Sequence, residues 1–254
     1  MTANPAKALA LPFALLVTFE IWARATHLQS DSLAPPSEIA MALAGAFADL
    51  SILAATRDTL FAAFAGLAIG TLIGLALGIA FGISDTLNRL MEVTIESIRP
   101  IPSIALLPIA LIGLGFGYRM EIAIVAFACV CPIMIISRAA VRSIEPWLME
   151  VARAPRLPPA QQVWKIIIPA ALPRIFVALR LSAGIALIVA VTVEIAINPL
   201  GLGAGIMLAQ QALRPDLMLA YLIWIGVIGY ALNVLLVVAQ NRLFGRAALS
   251  GDGR

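Results

Sequence analysis

The chain has 254 residues, of which 62% are hydrophobic and only 12% are charged, and its formal net charge is +3. A typical soluble domain has roughly 25% charged residues, so this composition excludes an ordinary soluble protein and indicates an integral membrane protein. The arginines are scattered between apolar stretches, which is typical of the cytoplasmic side of a membrane protein and argues against nucleic-acid binding.

Six stretches are candidates for transmembrane helices, each of which needs about 20 apolar residues. One of them, residues 101–116, is interrupted by Pro102 and Pro108. Because proline removes backbone hydrogen bonds that lipid cannot replace, we expect neighbouring helices to enclose this broken segment. The sequence therefore predicts an all-α integral membrane protein with about six transmembrane helices. The five continuous stretches are residues 8–25, 60–83, 122–136, 175–197 and 217–236.

The first stretch has an alternative interpretation as a cleavable signal peptide. Lys7, the apolar run and the small residues around Arg24 have the features of such a peptide. Pro12 and the weak basic region argue against cleavage, which would leave five spans.

The distribution of basic residues predicts that both termini are cytoplasmic, because cytoplasmic loops carry an excess of Lys and Arg. In that orientation Arg24, Arg57, Arg119 and Arg214 are the basic residues on the outer side. The basic residues at the inner side are Lys7, Arg89, Arg99, Arg138, Arg142, Arg153, Arg156, Lys165, Arg174, Arg180, Arg242, Arg246 and Arg254.

The second span contains glycines at a regular spacing of four residues. On a helix such glycines lie along one face and form a groove that another helix can approach closely. The simpler interpretation is a helix-packing face, and the alternative is a surface that slides during a conformational change. We find no internal repeat of the kind typical of a single-chain secondary transporter. A chain of six spans without such a repeat is therefore expected to supply half of a transport pathway. The glycines are Gly66, Gly70, Gly74, Gly78 and Gly82.

Motifs for catalysis or metal binding are absent from the sequence. Cys129 and Cys131 are two positions apart, so on a helix they point to different faces and cannot pair with each other. His27 is the single histidine, and there is no HExxH motif or cysteine cluster. There is also no GxxxxGKS/T phosphate loop, GxSxG elbow or SxxK pair. The sequence therefore predicts no catalytic residue, cofactor or metal.

A polar, proline-rich segment between Ser143 and Pro173 separates two hydrophobic runs. The residues after Pro146 predict one short amphipathic helix, and Pro158 and Pro159 begin another, which we expect Pro169 to end. The apolar face of the second helix consists of Ala160, Val163, Trp164, Ile167 and Ile168. One interpretation of the pair is an interfacial anchor that lies in the lipid headgroups.

This segment resembles the cytoplasmic signature of permease subunits of ATP-binding-cassette importers, which reads E-A-A, three residues, G, nine residues, I, one residue, L-P. Glu150, Val151 and Ala152 stand at its start, Ile166 matches the isoleucine, and Ile168 with Pro169 replaces the last pair. Residues 33–39, 97–117 and 201–211 are also similar to the nitrate, sulfonate and taurine branch of the family.

The resemblance implies a fold like that of type I importer permeases, with a coupling-helix loop between spans 4 and 5. In that family the loop docks on a separate ATPase, and two ATPase copies, a second permease copy and a periplasmic binding protein complete the importer. The chain would divide into a first transmembrane helix with a periplasmic loop at 1–56, a permease core at 57–244 with coupling helices near 145–168, and a cytoplasmic tail at 245–254. The implied ATPase-coupling residues are Glu150, Val151, Ala152, Arg153, Arg156 and Leu157.

Arg156 departs from the family signature, which has glycine at this position. Pro155 and Pro158 flank it and are expected to specify a different turn, in which Arg156 reaches an acidic residue of the ATPase. The alternative is weakened coupling or an unusual partner.

The substrate path between two permease copies is predicted to include Glu194, Gln210 and Gln211. Glu194 lies about 12 Å from the middle of its span, where the cost of a charge has largely disappeared, so either a gating role or a structural pairing is open. Glu20 is assigned a structural role. We expect no arginine or lysine deep in a span, and therefore that a binding protein selects the cargo. A self-contained channel or secondary carrier remains the alternative function.

Overall fold

The computed structural model describes residues 5–26, 30–144 and 158–245, which form helices and no strands. The all-α prediction is confirmed. A 3-10 helix, Ser103–Leu106, precedes α5, and a π-helical segment, Val163–Ile167, joins α7 to α8. The helices are α1 Pro5–Ala25, α2 Pro36–Ala48, α3 Ser51–Ile83, α4 Asp85–Ile98, α5 Leu107–Leu114, α6 Tyr118–Arg142, α7 Pro159–Gln162, α8 Ile168–Ala196, α9 Gly201–Gln211 and α10 Pro215–Phe244.

Four stretches of the described residues are long and apolar enough to cross a membrane. A fifth is added if α4 and Ser103–Leu114, which meet at a bend of 83°, form one broken span. The predicted count of six spans is therefore not confirmed. The four stretches are Ser51–Ile83, Tyr118–Arg142, Val163–Gln211 and Pro215–Phe244.

The broken segment is less enclosed than we predicted. Ile109 and Ile112 of α5 are 72% and 88% exposed in the single chain, and Leu107 is the buried residue of this helix. The reason is the position of Pro108 in the first turn of α5. The backbone N–H groups of a first turn have no partner within the helix, so proline removes no hydrogen bond there.

The helices group into two compact units, and the first comprises Met1–Thr59 and Glu194–Ile228. One aromatic contact in this unit joins α2 to α10, because the rings of Phe47 and Trp224 meet edge to face with centroids 4.8 Å apart. The indole N–H of Trp224 donates to the hydroxyl of Thr56 on α3 at 2.9 Å. The hydrogen bond satisfies the polar end of this half-buried tryptophan, whose ring supplies a large apolar surface.

The second unit comprises Leu60–Val193 and Gly229–Arg254, and in it the glycine face of α3 packs directly on α6. A Cβ atom at Gly70 would lie 2.7 Å from the carbonyl oxygen of Ala126 and 2.8 Å from Cβ of Cys129. Small residues permit this approach of two backbones. Gly66, Gly74, Gly78 and Gly82 are equally close to α6. The α6 residues they meet include Val125, Ile133, Ser137 and Val141.

The predicted end of a short helix at Pro169 is wrong. The chain passes through the π-helical segment into α8, which continues through Pro169 and Pro173. The helix is continuous at this junction, because the N–H of Ile168 donates to the carbonyl oxygen of Val163. Both prolines therefore lie within a helical run, which continues although each lacks a backbone N–H donor.

Candidate functional site

The predicted ATPase-coupling residues lie outside the described residues. These are Glu150, Val151, Ala152, Arg153, Arg156 and Leu157, which fall within residues 145–157. Among the described helices, α6 ends before this segment at Arg142 and α7 begins after it at Pro159.

Two polar contacts join the start of α4 to the end of α6. Arg138 Nη1 donates to Oδ1 of the buried Asn88 at 2.8 Å, and Arg142 forms an ion pair with Asp85 one turn farther out. Ser84 caps α4 by accepting the N–H of Leu87. An acidic residue in a first turn and a basic one in a last turn both complement the helix dipoles, so these side chains suit the two helix ends that they connect.

The end of α6 also contacts the start of α8. Arg174 donates to the hydroxyl of Ser143, the residue directly after α6. An apolar cluster buries side chains from both sides of residues 145–157. A displacement of that segment would therefore act on α6 and α8 together. The cluster consists of Ala140, Val141, Ile167, Ala171 and Ile175, with Ile144 and Val163 packed against it.

The predicted apolar face of the second short helix is divided in the structure. Ile167 is 2% exposed, whereas Trp164 is 72% exposed. The reason is the π-helical segment Val163–Ile167, in which hydrogen bonds run from i to i+5. Residues three and four apart therefore no longer share a face as they do in an α-helix.

Glu194 caps the start of α9 in the first unit. It is 2% exposed, and its Oε2 accepts the backbone N–H of Gly203 at 2.7 Å. Thr59 Oγ1 accepts the N–H of Leu202 at 2.9 Å. These N–H groups belong to the first turn of α9 and have no partner within the helix. A carboxylate is also the charge that a helix N-terminus favours.

Gly201 makes this cap possible. Its φ of +88° is one that residues with a Cβ rarely adopt, and a Cβ there would lie 2.0 Å from Oε1 of Glu194. The position therefore excludes any side chain, both because of the backbone conformation and because the carboxylate occupies the space.

A cavity of about 220 Å³ lies beside the cap. Glu194, the buried Asn198 and Gln211 all line it, whereas Gln210 is exposed and outside the lining. The structure thus brings two of the three predicted path residues, Glu194 and Gln211, to one cavity.

Glu20 has a comparable structural environment near the end of α1. Its carboxylate accepts the backbone N–H of Ser37 at 3.0 Å and the Ser37 hydroxyl at 2.7 Å, and it pairs with Arg24. These contacts connect α1 to the first turn of α2, in agreement with the structural role predicted for Glu20.

Arg180 lies near the middle of α8, deeper than the sequence suggested. We placed the start of this span at residue 175, but α8 begins at Ile168. Arg180 Nε donates to Oδ1 of Asn233 on α10 at 3.2 Å. The apolar run alone could not reveal this depth, because the first turns of α8 contain the two prolines that suggested a helix end.

Comparisons with known proteins agree on one family. The sequence matches the family described as "Binding-protein-dependent transport system inner membrane component" over residues 70–248. It is 30% identical to the taurine transport system permease protein TauC of Escherichia coli over 237 residues, which are 90% of this chain and 86% of the relative. It is 31% identical to the bicarbonate transport system permease protein CmpB of Synechococcus elongatus, over 68% of this chain and 59% of the relative.

Solved structures with a similar fold are also transporter structures. An inward-facing structure of the MetNI methionine ABC transporter matches with a TM-score of 0.66 and 20% identity, covering 73% of this chain and 93% of that chain. A structure of an amino acid ABC transporter matches with a TM-score of 0.63 and 21% identity, covering 79% and 98%. At this identity the similarity establishes the fold.

Proposed function

Because the chain belongs to the family of binding-protein-dependent transport system inner membrane components, we propose that it forms half of the pathway of an ATP-driven importer for a small solute with an oxyanion group. The cargo class is that of taurine, other sulfonates, nitrate and bicarbonate. The observation that carries the proposal is the match to a taurine permease protein over 90% of this chain. Relatives named for bicarbonate and nitrate transport support the broader class.

The energy source is proposed to be a pair of ATPase subunits that dock on residues 145–157. The signature that begins at Glu150 and ends at Pro169 supports this assignment. The contacts at the base of the segment support it as well, because Arg142, Ser143 and Arg174 join the helices that would receive the movement. A second permease copy, a periplasmic binding protein and cytoplasmic termini complete the proposal.

Glu194 is assigned a structural rather than a substrate-binding role. Its carboxylate already accepts a hydrogen bond from the first turn of α9, and a charged group there stabilises the helix end. A negative charge would also repel an oxyanion. Gln211, which lines the same cavity and is exposed, is the better candidate for contact with a solute.

The test is assembly and transport of the complete importer. Affinity purification of this chain is expected to recover an ATPase of the cassette class and a soluble binding protein, and liposomes containing the complex are expected to accumulate taurine or nitrate only with ATP. Uptake by this chain alone, without ATP, would instead indicate a channel or secondary carrier.

The docking assignment has its own variants. Glu150→Ala and Arg156→Ala are expected to reduce transport-linked ATP hydrolysis in the assembled complex. Asp31→Ala, which changes an exposed carboxylate between α1 and α2, is the matched control and is expected to behave like the parent. Unchanged ATP hydrolysis in both the Glu150 and the Arg156 variants would refute docking through this segment.

A further inference from the structure

Arg180 and Asn233 lie at the depth of the hydrocarbon core. Arg180 is 12 residues from the start of α8, or about 18 Å along a helix roughly 42 Å long. Any 30 Å portion of such a helix includes this point, so a membrane core of about 30 Å contains it wherever the helix crosses. Asn233 is about 27 Å along α10, a helix of similar length, and the same reasoning applies.

Asn233 orients the guanidinium group of Arg180 but accepts only one of its hydrogen bonds. The hydrogen bond from Nε to Asn233 uses one of its five N–H donors. Among the described residues, Arg180 has no other hydrogen bond or ion pair. Arg180 is half-buried and Asn233 is exposed, so this polar pair faces away from the rest of the chain.

A charged arginine facing lipid within the hydrocarbon core is energetically unfavourable. Charged side chains within spans therefore face a bundle interior or a water-filled cavity, where they mark substrate pathways. The planar fork of guanidinium donors matches the geometry of oxyanions, which it binds through two parallel hydrogen bonds.

We propose that Arg180, oriented by Asn233, binds the oxyanion group of the solute as it passes between permease copies. The proposal deepens the proposed function and rests on it. It corrects the expectation that the spans contain no deep cation. A lipid phosphate offers the same oxyanion chemistry, and the experiment below separates the two sources.

The first measurement is transport by the complete complex in proteoliposomes, with taurine and nitrate as the probes. Arg180→Gln keeps a donor for Asn233 but removes the charge and is expected to reduce uptake at least about tenfold, since hydrogen bonds to charged groups are among the strong ones. Arg180→Lys keeps the charge without the fork and should retain an intermediate rate. The matched control is Arg119→Gln, which changes an exposed arginine in the first turn of α6.

The second measurement is access from water. Arg180→Cys, in a background with Cys129→Ala and Cys131→Ala, is expected to react with a water-soluble thiol reagent carrying a sulfonate group, and taurine should slow the reaction. Leu181→Cys changes the adjacent, 54% exposed residue, which points about 100° away around the helix, and it should react more slowly.

Each of the following outcomes would overturn the assignment of Arg180. A parent complex that transports neither probe overturns the proposed cargo class and this assignment with it. A parent that transports both, with Arg180→Gln equally active, overturns this assignment alone. An unreactive introduced cysteine, together with loss of bound phospholipid from Arg180→Gln by mass spectrometry, assigns the guanidinium to a lipid headgroup and also overturns it.

Discussion

Replacing Gly201 by alanine is expected to displace the carboxylate that caps α9. The new methyl group would lie 2.0 Å from Oε1 and 2.3 Å from Cδ of Glu194, far inside van der Waals contact. To avoid this contact, the buried Glu194 side chain has to move away from the N–H of Gly203.

The expected loss of stability combines two terms. A residue with a Cβ in a left-handed conformation costs about 1–2 kcal/mol, and loss of a hydrogen bond to a charged group costs about 1.5–3 kcal/mol. Gly201→Ala should therefore lower the free energy of unfolding by about 3 kcal/mol or more, which is a large part of the 5–15 kcal/mol that stabilises a typical protein.

The assay is unfolding of the purified chain in detergent, followed by tryptophan fluorescence. Gly45→Ala is the matched control, because a Cβ at Gly45 meets nothing within 4 Å and the residue lies inside α2. It should stabilise the protein by roughly 0.5–1 kcal/mol, the usual gain from alanine in a helix.

A double variant isolates the contact with the carboxylate. If Glu194 causes the loss, then adding Gly201→Ala to Glu194→Ala should cost little beyond the backbone term, so the two effects should not add. Fully additive losses, or a Gly201→Ala variant as stable as Gly45→Ala, would refute the cap as the reason for glycine at this position.

Three further predictions follow from described contacts. Gly70→Ala should yield less folded protein than the control variant Gly45→Ala, because the methyl group added at Gly70 would lie 2.7 Å from a backbone carbonyl oxygen. Arg142→Ala should lower the free energy of unfolding by only about 0.2–1 kcal/mol, because the side chains of Arg142 and Asp85 are 39% and 78% exposed. A larger loss in the unfolding measurement would show that the ion pair is buried in an assembly. Hydrogen bonds from the side chain and the backbone N–H of Ser51 hold the pKa of Asp49 below its usual value of 3.8. Their contribution is present above that pH and is lost as the pH falls through the lower folded value, so the stability advantage over Asp49→Asn should disappear in acid; an advantage that persists there would contradict the assignment.

The family and the transport function could be predicted from the sequence, and both are confirmed by the family match over residues 70–248. The prediction of a transport subunit rather than an enzyme is confirmed by the same match. These predictions succeeded because the polar signature near Glu150 and the glycine-rich stretch near Gly201 are local in sequence. The long apolar runs were equally readable, since each of the continuous runs falls on a helix.

The geometry of the site depends on contacts that no local pattern contains. Thr59 caps the N–H of Leu202 across 143 positions of sequence. The π-helical segment before Ile168 changed both the exposed face and the helix start, because the helix continues through Pro169 and Pro173, which normally end one. Because α8 begins at Ile168 rather than at residue 175, Arg180 lies nearer the middle of its span than the sequence indicated.

Arg180 and Glu194, two of the three charged residues of α8, therefore have opposite assignments that support each other. Glu194 lies 14 residues beyond Arg180, or about 21 Å along the helix. In a water-filled path this distance exceeds the Debye length of about 8 Å at physiological ionic strength, so the Glu194 carboxylate would not repel an anion held at Arg180. Each charge meets an opposite partner of a different kind: the helix N-terminus balances Glu194 permanently, whereas the open donors of Arg180 are available to an oxyanion that binds and leaves.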